Sequence, residues 1–176
     1  LPGKVLADVA GRPMLARVCE RLTRAKALDR VVVATTTAPA DRAVAQWCAK
    51  SGLDCVCGSE EDVLERYHQA AAAFRATVVV RITADCPLID PEVVDQIVGA
   101  FRQQGRDYAS NTLERTWPRG LDTEVFTAAA LARARRRAAE PFERTHVTPY
   151  LYARCRRGQA HPVLGPSRLG HVRWTV

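Results

Sequence analysis

The sequence predicts an α/β fold built on a mainly parallel sheet, and three observations predict it. Two dense β-branched runs, "RVVVAT" and "TVVVRI", are bounded by turn formers, as strands of a covered sheet are. Segments with apolar residues at helical spacing separate the strands, each about 10–15 residues long, which is the rhythm of βαβ units. No repeat or low-complexity linker interrupts the 176 residues, so one domain, 1–176, is expected.

The elements follow in order. "PMLARVCERLTRAK" places Met14, Leu15, Val18, Cys19 and Leu22 on one helical face, with Pro13 in the first turn. "RVVVAT" is a strand, and "PADRAVAQWCAKSG" is a helix stopped by Gly52. "LDCVCG" is a short strand. "SEEDVLERYHQAAAAF" is a helix expected to turn Val63, Tyr67, Ala70, Ala71 and Phe74 inward. "TVVVRI" reads as a strand covered on both faces. In "PEVVDQIVGAFRQQG", Val93, Val94, Ile97, Val98 and Phe101 form the core face, and Asp90 is an N-cap before Pro at the first helical position. After Asn111 the rhythm loosens. "DYASN", "LDTEVF" and a final "HVRWTV" read as strands, "TAAALARARRRA" and "FERTHVTPYLYARC" as helices.

Composition narrows the function. At 47% hydrophobic and 26% charged the chain is globular. It has no run of 18 apolar residues, so no transmembrane helix is expected, and no secretory signal is visible. Six cysteines without zinc-site spacing read as buried free thiols of a reducing compartment, hence a cytoplasmic location. The net charge is +7, and 23 of the 26 basic residues are arginine, which suits anionic partners such as phosphorylated substrates. The cluster Arg133–Arg137 wraps around its helix and lacks interleaved aromatics, so a solvated helix is favoured over a nucleic-acid patch.

Familiar phosphate motifs are absent: there is no G-x-G, no complete P-loop, no G-x-S-x-G and no H-E-x-x-H. What remains is an early Gly-Lys and a carboxylate, Asp85, just past the end of "TVVVRI". In open α/β sheets, ligands bind outside the carboxyl ends of the strands. Lysine supplies a point charge for phosphate, and magnesium takes one or two carboxylates plus phosphate oxygens.

The ordered motifs "LPGKVLADVAGRPML", "VVVATTT", "GSEEDVLERY", "RITADCPLIDP", "SNTLERTWPRGLDTEVF", "HVTPYLY" and "RWTV" resemble the sugar-acid cytidylyltransferase family. The nearest branches are the spore-coat-polysaccharide type and the acylneuraminate and octulosonate cytidylyltransferases. The resemblance implies a three-layer α/β/α Rossmann-like fold with a mainly parallel mixed sheet, of the nucleotide-diphospho-sugar transferase kind. It implies transfer of CMP from CTP to a sugar acid with release of pyrophosphate, for surface polysaccharide synthesis. Mg2+ would be the cofactor, CTP and a sugar acid the substrates, and a homodimer is common in the family.

By the same resemblance Gly3 and Lys4 belong to a loop around the triphosphate, with Lys4 neutralising charge; Gly11 and Pro13 are structural. Ser59 lies near the base, although "SEED" is equally a helix cap. Arg66 reaches the nucleotide or is solvated. Asp85 matches the metal-binding aspartate, with Ala84 in place of the common glycine; Thr83 touches the nucleotide, and Cys86 and Pro87 set the turn. Asp122 and Glu124, two apart on a strand, share a face and bind the sugar or help position a metal. His146 and Tyr150, four apart, share a helical face and contact the sugar acid. Arg144 pairs with a substrate carboxylate or is a surface residue. The family also has an opening strand with a phosphate loop and a second metal aspartate after the "RWTV" strand. Neither is in these 176 residues, so the sequence predicts a fragment that is inactive alone. The alternatives are a nucleotide-sugar-dependent glycosyltransferase and a basic nucleic-acid-binding domain.

Overall fold

The computed structural model describes residues 3–154, 160–165 and 168–176, with nothing assigned to the side chain of Arg154. The elements run α1 (Met14–Leu22), β1 (Val32–Thr36), α2 (Arg42–Lys50), β2 (Asp54–Gly58), α3 (Val63–Ala73), β3 (Val78–Arg81), α4 (Pro91–Gln104), β4 (Tyr108–Ser110), β5 (Glu124–Thr127), α5 (Ala128–Arg137), α6 (Pro141–His146), α7 (Pro149–Arg154) and β6 (Ala160–Pro162). Short 3-10 turns cover Lys4–Leu6 and Pro39–Asp41.

The strands form two hydrogen-bonded groups. β1 and β2 are parallel, with Val32 opposite Asp54. The other four run in the order β3-β5-β4-β6. β4 and β6 are parallel, while β5 is antiparallel to both β3 and β4. The sheet is therefore mixed because β5 enters between β3 and β4 against their direction. That insertion puts Arg81 directly opposite Glu124.

Alternation along the central strands supplies two cores, one on each face. Tyr108 and Phe126 point to one side and stack at 6.5 Å and 12°. There they pack with Leu64 of α3, Ala130 and Leu131 of α5 and Val147. Their neighbours Ala109 and Val125 point to the other side. They meet Val93, Val94, Ile97, Val98 and Phe101 of α4 and Val18 and Leu22 of α1. Helix–sheet–helix is the three-layer arrangement that α/β strands dictate. A third cluster, Leu15, Cys19, Val44 and Cys48, joins α1 and α2 over β1 and β2, and Val5, Leu6 and Ala84 pack against it.

The expected core faces of α1 and α4 are buried as the spacing requires. Asp90 caps α4 by accepting from the Glu92 N–H at 2.9 Å, with Pro91 at the first position. Gly52 takes a left-handed φ of 67° just past α2.

β3 is covered on both faces only in part: Val79 packs against one core and Val80 against the other, while Val78 at the start of the strand is 37% exposed. Other expectations are corrected. In α3 the fully buried residue is Leu64, with Val63, Tyr67 and Ala71 partly buried against the same core. Phe74 lies instead under the Arg30 guanidinium at 5.2 Å. The helix expected over 142–155 is two helices, α6 and α7, broken where Val147 takes φ 71°. The residue before a proline disfavours helical backbone, and Thr148 precedes Pro149; the tail of that expected helix, at Cys155, lies outside the described residues. "HVRWTV" is extended chain with a single bridge, Arg173 to Arg119, rather than a strand. β6, over Ala160–Pro162, had no β-branched run to announce it.

No helix among the described residues is long and apolar enough to cross a membrane. The thiols of Cys19, Cys48, Cys55, Cys57 and Cys86 are all free.

Candidate functional site

A cleft of ≈ 240 Å³ opens on the β3–β5 side of the larger sheet. Its floor is Arg81 and Glu124, its inner rim Thr83, Thr112, Arg115 and Asp122, and its outer wall Phe142, His146, Thr148, Pro149 and Tyr152. The structure thus brings together four residues expected from the sequence: Thr83, Asp122, Glu124 and His146.

The floor is a buried network. Glu124 is 7% exposed. One of its carboxylate oxygens accepts from the Tyr108 hydroxyl at 2.6 Å, and the other is ion-paired with Arg81. Burial, followed by the Glu124 charge, pushes the Tyr108 phenol well above its ordinary value. Tyr108 therefore stays a donor at neutral pH. The Arg81 guanidinium also lies 5.9 Å from the centre of the Tyr67 ring. At the rim, Arg115 holds Asp122 with two parallel bonds, 2.8 and 3.1 Å. Both expected carboxylates do face the cleft, but each is engaged by an arginine that carries the charge forward. β5 starts at Glu124, so Asp122 precedes the strand it was expected to share.

His146 is exposed and meets the Phe142 ring at 4.4 Å between centroids. Tyr150 does not line the cleft. It sits on α7 rather than α6 and is 7% exposed within the core beneath. The break at Val147 separates the two residues that continuous helical spacing would have stacked. Arg144 is also turned away. It binds Asp62, the N-cap of α3, through Nε at 2.9 Å and through Nη2.

Asp85 lies just past β3, half-buried, and its Oδ1 accepts from the Thr83 hydroxyl at 2.5 Å. Thr83 thus joins Asp85 to the cleft. The Cys86 thiol touches the same oxygen at 3.7 Å and is pushed up to about 11, first by burial. The backbone carbonyl of Asp85 accepts from the Val176 N–H at 3.2 Å, so the 168–176 stretch runs beside it. That stretch is clasped by the loop 112–122: Arg119 N–H donates to Val172, Trp174 N–H to Arg119, and Leu169 N–H to Thr116.

Gly3 and Lys4 stand apart from the cleft. Gly3 has φ 72° and opens the turn that carries Lys4. The Lys4 side chain is half-buried. The turn's Val5 and Leu6 pack on the same cluster as Ala84, the neighbour of Asp85. Ser59 follows β2 and is exposed; its hydroxyl accepts from the Asp62 N–H at 2.9 Å, and its carbonyl from Arg66 Nη1 at 2.6 Å. The cap expected at Ser59 falls instead on Asp62, whose side chain accepts from the Glu65 N–H at 2.9 Å, and Ser59 closes the turn before it. Arg66 packs against Gly58, and its Nε is buried without a partner.

Asp85 has one carboxylate oxygen engaged and Oδ2 without a hydrogen bond among the described residues. No group of three or more His, Cys, Asp or Glu side chains there is arranged to hold a metal. A lone carboxylate with an open oxygen fits a magnesium ion that keeps water and takes further ligands from phosphate. It does not fit an ion caged by protein alone.

Sequence reasoning missed Arg81 and Arg115 as site residues, along with Phe142 and Tyr152. Arg81 carried one usable signal: it is the single charge in an otherwise apolar strand run, "VVVRI". A charge at that position needs a partner.

Comparison with known proteins gives one consistent picture. Residues 1–171 match the cytidylyltransferase family. The spore coat polysaccharide biosynthesis protein SpsF of Bacillus subtilis is 34% identical over 156 residues, covering 86% of this chain and 64% of that protein. A 3-deoxy-manno-octulosonate cytidylyltransferase of Anaeromyxobacter dehalogenans is 34% identical over 165 residues, covering 86% of this chain and 67% of that one. The chain thus spans about two thirds of the length of these relatives. The structure of a cytidylyltransferase from Leptospira borgpetersenii superposes with a TM-score of 0.93 at 30% identity, over 100% of this chain and 75% of that one. The Rossmann-like α/β/α fold is common to both.

Proposed function

The chain belongs to the cytidylyltransferase family, and from that premise we propose that the protein it forms transfers CMP from CTP to a sugar acid, with magnesium, for polysaccharide synthesis. One observation carries the reading. Asp85 stands at the carboxyl end of β3, tied by Thr83 to a cleft whose cations are arginines. Crevices at strand ends are where open α/β sheets hold nucleotides.

In this reaction an acceptor hydroxyl oxygen bonds to the α-phosphorus, the bond to pyrophosphate breaks, and the hydroxyl proton is released. Magnesium on Asp85 would supply charge neutralisation on the triphosphate. Thr83 fixes the carboxylate by donating to Oδ1. Lys4 adds a further positive charge on the turn that packs beside Ala84. The acceptor sits in the cleft, against Arg81, Arg115, His146 and the aromatic wall. Ser59 and Arg66, past the end of β2, stand on the nucleotide side.

The test is pyrophosphate release by the gene product that carries this chain. Each of the four nucleoside triphosphates is supplied with magnesium and a panel of sugar acids. Release with CTP alone, lost in Asp85→Asn, is expected. Release with another triphosphate moves the base specificity, and no release with any overturns the assignment.

A further inference from the structure

We propose that Arg81 is the residue that anchors the acceptor's carboxylate, and that Glu124 and Tyr108 are its positioning residues; this rests on the transfer reading above. The cleft holds two guanidinium groups in different states. Arg115 is consumed: its Nη1 and Nη2 each donate to one oxygen of Asp122. Arg81 is not. Its Nη1 donates to Glu124, and its Nε is buried with no hydrogen-bond partner. That atom is sealed from solvent; what meets the cleft is the outer part of the guanidinium, since Arg81 lines the cleft with 18% of its side chain exposed.

Three strands fix where this charge points. Arg81 lies opposite Glu124 across the β3–β5 pair, and Ser110 lies opposite Glu124 across β4–β5. Tyr108, two residues before Ser110, reaches Glu124 diagonally, as long side chains do across a twisted sheet. Glu124 therefore has both oxygens occupied and stays beneath the cleft, while Tyr67 backs the guanidinium from the α3 side. Arg81 is stiffened on its inner side, and its side chain keeps 18% exposure toward the cleft.

A planar guanidinium pre-set in this way matches a planar carboxylate better than a hydroxyl or an amide. The facing wall of Phe142, His146 and Tyr152 offers flat apolar contact for the ring that bears the carboxylate. The geometry thus assigns discrimination between a sugar acid and the corresponding neutral sugar to Arg81. Pairing with Glu124 prevents the site from carrying a bare buried cation when empty.

The experiment uses 3-deoxy-manno-octulosonate and N-acetylneuraminate as acceptor probes, each beside its methyl ester. Wild type is expected to prefer the free acid. Arg81→Gln raises KM for the acid about 10- to 100-fold, leaves KM for CTP within twofold, and brings acid and ester to similar efficiency. Arg81→Lys restores part of the preference. Tyr108→Phe, which deletes only the hydroxyl behind Glu124, raises KM for the acid by a few-fold with a cooperative melt retained. Undiminished acid-over-ester preference in Arg81→Gln overturns the proposal, as does a parallel rise in KM for CTP. Should wild type release no pyrophosphate, the transfer reading falls by itself. Calorimetric binding of the two acids then decides Arg81: binding lost in Arg81→Gln upholds it, and equal or absent binding overturns it.

Discussion

Arg144 and Asp62 stand 82 positions apart in the sequence and share a two-bond ion pair, Nε to Oδ2 at 2.9 Å with Nη2 closing the fork. The pair ties α6, which carries Phe142 and His146 of the cleft wall, to the cap of α3. Burial alone would raise Asp62, but the Arg144 bond and the Glu65 N–H more than offset it, and the carboxyl lies below its ordinary value of 3.8. Glu65 is lowered in the same sense, chiefly by its bond from Arg135. Depressed carboxyls stabilise the fold above their unfolded values and lose that contribution as pH falls through the folded ones. Stability is expected to drop below about pH 4. Arg144→Gln should cost about 1 kcal/mol at neutral pH and flatten the acid limb. Urea melts from pH 7 to 3 check both.

Asp85→Asn keeps the shape of the strand-end turn and removes the charge. Transfer activity is expected to fall at least about 100-fold, with Tm within a few degrees of wild type. Thr83→Val, which removes the donor to Oδ1, should cost about 10-fold. Initial rates at several magnesium concentrations test the order of the two effects.

Gly120 lies in the loop that clasps the 168–176 stretch, with φ 108°. A Cβ there would stand 3.0 Å from the Trp174 carbonyl carbon. Gly120→Ala is expected to cost about 1–3 kcal/mol, roughly 3–9 °C in Tm. An unchanged Tm in calorimetry would show that the clasp can open at no cost.

The described thiols should differ sharply toward alkylating agents. Burial pushes Cys19 to about 11 and Cys55 to about 12, leaving little thiolate at pH 8. Cys57 is exposed. Peptide mapping after brief iodoacetamide treatment should find Cys57 modified before Cys19, Cys48, Cys55 and Cys86. Early labelling of Cys48 would contradict the packing between α1 and α2.

What the sequence made legible was local. The α4 face, the Asp90 cap and the position of Asp85 after a strand each depend on a few consecutive residues, and the structure has them as read. What it left hidden was register. Nothing near Arg81 announces that Glu124, 43 positions on, will lie opposite it, because the antiparallel entry of β5 is settled by packing on both faces. Asp122 and Glu124 were found as a pair, but their arginine partners were not. A charge's partner is a tertiary fact, and side-chain types alone do not carry it. The break between α6 and α7 was closer to hand: "TP" at 148–149 is a helix boundary in its own right.

The clasp between the 112–122 loop and the 168–176 stretch also has an optical consequence. Trp117, 7% exposed, and Trp174, 40% exposed, are two of the protein's three tryptophans, and both belong to it. Gly165 sits against the Trp117 ring and Gly120 against the Trp174 backbone, so the buried Trp117 indole cannot change surroundings without this packing parting. Ultraviolet emission from this protein is accordingly weighted toward one place, beside the carbonyl of Asp85. A red shift during titration or heating would register that seam loosening before any loss of helix is seen by circular dichroism.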